Sequence, residues 1–222
     1  MLSEGDGMAN LIFTDLDNTL LKGNVEKKFL LFLFRNSNNF RLRFYLNIIS
    51  HFSNKVISKI FNKNHNYKFF YYGLSENFLS EQISFFFSKN YGNFHLNESV
   101  LNNVDRKNDE IIILTMSPEF LSKNICAKLL MNYNWSLYGT KLEMLEKSMT
   151  GVVVDKMDSK RKKECCLEII NSRSSNFDKT IGFGDSKTDV EFLSILDKAY
   201  CFNNQIQNNK ITFIDSKWIK AS

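Results

Sequence analysis

At 222 residues the chain has room for one domain of moderate size, or for a core with a smaller inserted domain. Its 43% hydrophobic and 24% charged residues are those of a soluble globular protein with a substantial core, and no apolar run approaches the roughly 20 residues that span a bilayer. The net charge of +5 is mildly basic and reads as a solvated surface of mixed sign rather than a nucleic-acid footprint.

The N-terminus, Met1 to Ala9, carries Glu4 and Asp6 and has no apolar h-region, so no signal peptide is expected there. Asn10 to Leu16 is predicted as a short buried strand. It runs into an acidic pair, Asp15 and Asp17, expected to reach one point at the strand end. Uncompensated carboxylates repel and are costly to desolvate, so this pair asks for a cation, a phosphate-handling site, or both.

From Lys22 to Asp105 apolar residues recur at helical spacing, and the segment is predicted to be a helical insertion of four or five helices. Within it Phe40 to Phe61 is an aromatic, basic amphipathic helix, expected to pack inside the insertion, with a membrane surface as the alternative. Ser75 and Asn97 are predicted to cap helices over Glu76 to Tyr91 and Glu98 to Val104.

Glu110 to Thr115 is β-branched and continuous, as in a central parallel strand covered on both faces. Ser117, Pro118 and Glu119 read as the cap, first position and acidic first turn of a helix to Met131, and the Ser117 hydroxyl is assigned to that cap. Strands follow near Ser136 to Thr140 and Met149 to Val154, with Gly151 as a turn. Asp158 or Ser159 is expected to cap a helix to about Asn171. Lys179 to Gly184 is the next strand, Ser186 to Leu196 the next helix, and Lys198 to Phe202 and Ile211 to Ile214 are short terminal strands. This alternation predicts an α/β fold with a Rossmann-like, doubly wound parallel sheet and an inserted α-helical cap.

Cys126, Cys165, Cys166 and Cys201 show no CxxC spacing, and three lie in apolar stretches, which points to a reducing, cytoplasmic setting. His51, His65 and His95 all fall in the insertion, so neither a histidine-based nor a zinc site is expected. Gly182-Phe-Gly184 lacks a dinucleotide loop's third glycine, Lys187 standing in its place.

In an open α/β sheet ligands bind beyond the carboxyl ends of the strands. Three predicted strands end there in polar residues: Asp15 and Asp17, Thr115, and Asp185 in Gly-Asp185-Ser-Lys-Thr-Asp189. These, with the lysines that open the helix after Asp158, resemble the four motifs of the haloacid dehalogenase superfamily of phosphohydrolases. The insertion after the first motif matches the helical cap of the subfamily that includes phosphoserine phosphatase. The arginine-bearing cap pattern of that enzyme is absent, so phosphoserine is not implied as the substrate.

The resemblance implies a core over residues 1–21 and 106–222, a cap over 22–105, and a phosphatase acting on a small phosphorylated metabolite. It implies magnesium, Mg2+, held by Asp15, the backbone carbonyl of Asp17, and Asp185. Asp15 would be the nucleophile and Asp17 the general acid and base, while Thr115 and a lysine would hold the phosphoryl oxygens and Asp189 would orient the site. Lys160, Arg161, Lys162 and Lys163 are consecutive. Counting from Gly151 favours Lys163, with Lys160 one turn earlier on the same face, and counting back from Asp185 favours Lys162; Lys163 is placed first. A sugar-phosphate mutase, or a binding module without catalysis, are the alternative readings.

Overall fold

The structure, a computed structural model, describes residues 9–38, 40–41, 68–173, 177–206 and 208–221. The Phe40 to Phe61 helix therefore falls, apart from its first two residues, outside the described residues.

In chain order the elements are β1 (Leu11–Thr14), α1 (Val25–Asn36), a 3-10 turn (Phe69–Tyr71), α2 (Glu76–Asn90), β2 (His95–Asn97), α3 (Glu98–Leu101), β3 (Glu110–Pro118) and α4 (Glu119–Leu129). They continue with β4 (Asn134–Leu145), β5 (Ser148–Asp155), α5 (Ser159–Ser172), β6 (Thr180–Gly184), α6 (Val190–Leu193), β7 (Lys198–Cys201), β8 (Ile211–Phe213) and β9 (Trp218–Lys220).

Among the described residues seven strands form one sheet in the order β5-β4-β3-β1-β6-β7-β8. Every pair is parallel except β4 with β5, which is an antiparallel hairpin. This is the Rossmann-like α/β architecture that the alternation predicts. The chain leaves β1 toward β3 on one side and later returns to β6 on the other, so the carboxyl end of β1 is a topological switch point, where ligands bind.

Strand alternation divides the core into two layers. Ile12, Ile111, Ile113 and Phe183 point to one face, where they join buried residues of α1, α2 and α4 such as Phe29, Phe86, Leu121 and Ile125. Leu11, Phe13, Ile112 and Leu114 point to the other, against Cys165, Cys166 and Ile169 of α5 and Phe192 and Leu193 of α6. The described helices of the insertion thus share a hydrophobic cluster with the sheet. The C-terminal β9 pairs antiparallel with β2, tying the chain end back to the same segment.

Several local expectations are corrected. The turn between β4 and β5 lies at Glu146 and Lys147, which take φ of 46° and 63°, as a two-residue hairpin loop demands. Gly151 lies within β5, where its φ of 76° makes a local irregularity instead of a turn. The helix after β6 is α-helical only over Val190–Leu193, because the preceding loop is spent on hydrogen bonds to Asp189. The four cysteines are all buried and unpaired. No helix among the described residues is long and apolar enough to cross a membrane.

Phe86 anchors the helical layer, packing edge-on against Phe29 at 5.4 Å and Phe94 at 5.9 Å between ring centres. Phe86→Ala is expected to lower unfolding free energy by about 3–5 kcal/mol, read from urea titration. A loss below about 1 kcal/mol would show that this aromatic layer does not hold the helices to the sheet.

Candidate active site

β1 delivers Asp15 to the carboxyl edge of the sheet, where it is 7% exposed. There its Oδ1 accepts a hydrogen bond from the Lys162 ammonium at 2.7 Å. The same ammonium donates to Asp189 Oδ1, also at 2.7 Å, and is itself 1% exposed. One buried cation is therefore shared by two buried carboxylates from opposite ends of the chain.

Helix periodicity brings Lys162 there. Asp158 caps α5 by accepting from Arg161 N, which fixes the phase of the helix. Lys162, Cys165, Cys166 and Ile169 follow one another at the i, i+3, i+4, i+7 spacing of a single face, and all four are buried. Lys163 lies about 100° round the helix and is half-buried, while Lys160 is exposed and pairs with Glu164 at 3.6 Å. Of the three lysines it is Lys162, and neither Lys163 nor Lys160, that the fold brings to Asp15.

Asp189 is fully engaged. Its Oδ1 holds Lys162, while its Oδ2 accepts from Asp185 N, Ser186 N and Ser186 Oγ at 3.2, 3.0 and 2.7 Å. It braces the loop that presents Asp185. Gly184 permits that approach, since a Cβ there would lie 2.6 Å from Asp189 Cβ. Asp185 accepts from the buried Thr19 hydroxyl at 3.3 Å.

The two aspartates of the acidic pair do not converge on one point. Asp17 turns away from Lys162: its Oδ1 accepts from Val25 N at 2.7 Å, and its Oδ2 from Ser117 Oγ at 2.6 Å and Asn24 Nδ2 at 3.2 Å. Ser117 does not cap α4, whose cap position is held by Pro118. The sequence signals of a helix start were real but lay one residue later, which leaves the Ser117 hydroxyl for Asp17. Thr115 sits buried at the same edge and accepts from Ser117 N at 3.1 Å, so its own hydroxyl proton stays available to a ligand.

Charge is unbalanced here. Carboxylate oxygens of Asp15, Asp185 and Asp189 lie within 4.8 Å of one another, with Lys162 as the cation among them. Burial, reinforced by Asp189, pushes the Asp15 carboxyl up to about 8 against the pull of Lys162. Burial and Asp189 likewise push Asp185 up to about 6. Burial also raises Asp17, with the Ser117 and Val25 hydrogen bonds opposing it. Burial works to lower Lys162, but Asp15 and Asp189 outweigh it and hold the ammonium above its ordinary range. Among the described residues Asp15 Oδ2 and Asp185 Oδ2 accept no hydrogen bond. Two free carboxylate oxygens, an excess of negative charge and no nitrogen or sulfur donor fit a small hard cation such as Mg2+. Asp189 belongs to the same acidic group, with its Oδ1 already accepting from Lys162 and its Oδ2 from the Asp185 loop.

Beside Asp17 opens a cleft of about 300 Å³ lined by Asn24, Glu26, Lys68, Met116, Ser117 and Thr140, among others. Glu26 accepts from both Lys68 Nζ and Tyr71 OH.

An acidic pair at the switch point of an open parallel sheet, met by a buried lysine and a distal aspartate, defines an α/β enzyme site. The sequence matches the haloacid dehalogenase-like hydrolases over residues 12–194, and the chain belongs to that family. Among curated proteins no sequence matches. Similar solved structures include a haloacid dehalogenase-family hydrolase from Salmonella enterica serovar Typhi, at 13% identity and a TM-score of 0.61, covering 96% of this chain and 70% of that one. A probable phosphoserine phosphatase from Vibrio cholerae has 11% identity and a TM-score of 0.60, over 96% of this chain and 62% of that one. A phospho-aspartyl intermediate analogue of phosphoserine phosphatase has 12% identity and a TM-score of 0.59, over 95% of this chain and 94% of that one.

Lys162→Met leaves Asp15 and Asp189 without their cation and is expected to lower stability by about 3–5 kcal/mol. Lys163→Met should stay within about 0.5 kcal/mol of wild type. Chemical denaturation of both variants checks this, and equal effects would contradict the assignment of Lys162.

Proposed function

We propose that the protein is a Mg2+-dependent phosphatase that hydrolyses a small phosphomonoester through an aspartyl-phosphate on Asp15. The observation that carries this reading is the division of labour in the acidic pair. Asp15 is held at 2.7 Å by a buried ammonium, whereas Asp17, two residues on, is held apart from it over a cleft. A nucleophile and a proton donor must approach opposite ends of the same scissile bond, and this arrangement supplies one group for each. The structural neighbours named as phosphoserine phosphatases support phosphoester chemistry, as does the one solved as a phospho-aspartyl intermediate analogue.

In this reading Asp15 attacks phosphorus, the ester P–O bond breaks, and Asp17 gives its proton to the departing alkoxide. Asp17 then takes a proton from water, whose oxygen attacks phosphorus and breaks the Asp15–phosphoryl bond, releasing inorganic phosphate. Lys162 and the Thr115 hydroxyl neutralise and orient the phosphoryl oxygens. Asp15, the Asp17 backbone carbonyl and Asp185 would hold Mg2+, which supplies the positive charge that lets a carboxylate approach an anionic ester. Asp189 keeps both Lys162 and the Asp185 loop in place.

The substrate's leaving group occupies the cleft beside Asp17. Its walls come partly from Asn24, Glu26 and Lys68, so residues 22–105 act as the cap that shapes the substrate site, and residues 1–21 and 106–222 as the catalytic core. Glu26 in that wall already accepts from Lys68 and Tyr71, one bond on each carboxylate oxygen. The unpaired, buried cysteines support a reducing, cytoplasmic setting.

With Mg2+ present, wild-type protein should release phosphate from p-nitrophenyl phosphate, and Asp15→Asn should fall to the uncatalysed background. Undiminished turnover by that variant would contradict the mechanism. Separately, Mg2+ at about 100 times its Kd should raise the melting temperature by about 5–10 °C. Asp185→Asn should abolish that rise, and an equal rise in the variant would contradict the ligand set.

A further inference from the structure

Resting on the phosphatase reading, we infer that Ser117 is a positioning residue for the proton transfer: it holds the Asp17 carboxyl toward the leaving-group oxygen and acts only through Asp17.

Ser117 is 2% exposed, and among the described residues its hydroxyl has one partner, Asp17 Oδ2, at 2.6 Å. It is itself rigidly placed. The register between β3 and β4 shifts between Thr115 and Pro118, so Met116 and Ser117 sit on a bulge, a device that re-aims a side chain out of the strand's alternation. Two bonds pin that bulge, and a third lies beside it. Ser117 N donates to Thr115 Oγ1 at 3.1 Å, Thr140 Oγ1 donates to the Met116 carbonyl at 2.8 Å, and Gly139 N donates to Glu119 Oε2 at 3.2 Å just beyond it.

The other two donors to Asp17 differ in kind. Val25 N–H and the Asn24 amide come from the start of α1, in the insertion, and as N–H groups they only donate. Ser117 comes from the sheet, and its hydroxyl both donates and accepts. Asp17, Met116, Ser117 and Thr140 all line the cleft assigned to the leaving group, so the hydroxyl stands beside the oxygen to be protonated. The role follows from placement: a donor fixed to the sheet keeps the acid in register with the nucleophile, which is on the sheet as well.

Loss of acid assistance shows most where the leaving group is poor. The test compares p-nitrophenyl, phenyl and benzyl phosphates, which keep the ring and raise the basicity of the departing oxygen in order. In Ser117→Ala the ratio of kcat/KM on p-nitrophenyl phosphate to kcat/KM on benzyl phosphate, which reports the step that expels the leaving group, should rise about tenfold or more, and Ser117→Thr should restore it, since misplacing a reacting group by about 1 Å costs up to about 100-fold. In an Asp17→Ala background, adding Ser117→Ala should change no rate further. A uniform fall across the three esters, or an added loss in the Asp17→Ala background, would overturn the inference and make Ser117 a merely structural residue. A wild-type protein inert toward all three esters would overturn the phosphatase reading itself, and the role of Ser117 with it.

Discussion

A single ammonium, that of Lys162, holds the site together. It lies between Asp15 and Asp189, 2.7 Å from each, and neither carboxylate has enough water to be stable alone. Removing one member of such a buried set leaves uncompensated charge, which costs far more than the set contributes net. Much of the surrounding structure follows from satisfying it. The cap on Asp158 sets the phase of α5, Gly184 lets Asp189 approach, and Asp189 in turn fixes the loop that carries Asp185. Even so, negative charge remains in excess, which is what the proposed divalent cation between Asp15 and Asp185 would balance.

The second half of the site answers to a different constraint. Asp17 is bound by two donors from the first turn of α1 and its cap, and by one from the bulge of β3. Asp17, the proposed acid and base, is thus suspended between the start of α1 and the sheet. The cleft it faces has walls from both, so in the proposed enzyme the residues that choose the leaving group also adjoin the residue that protonates it. Lys68, Glu26 and Tyr71 form a closed network on that wall, which fixes its shape more than it offers a free charge.

How much of this is legible in the sequence depends on how local the cause is. Asp15 and Asp185 stand just past strand ends that apolar runs announce, Thr115 closes the apolar run inside β3, and the parallel sheet follows from the same runs. Lys162 was within reach of periodicity: its spacing to Cys165, Cys166 and Ile169 places it on the buried face, whereas counting forward from Gly151, which lies inside β5, points to Lys163. Ser117 was harder. Serine before Pro-Glu is a strong helix-start pattern, and only the β3–β4 register, set by long-range pairing, turns its hydroxyl toward Asp17, 100 residues away in sequence. The separation of Asp15 from Asp17 was illegible for a similar reason, since strand alternation stops at Thr14 and the loop beyond it obeys its own hydrogen bonds.

The most direct measurement is capture of the covalent intermediate. Wild-type protein mixed with a 32P-labelled aryl phosphate and Mg2+, then quenched in acid during turnover, should carry label that hydroxylamine removes, as an acyl phosphate requires, and peptide mapping should place it on Asp15. Turnover with no protein-bound label, or label on any other residue, would contradict the mechanism.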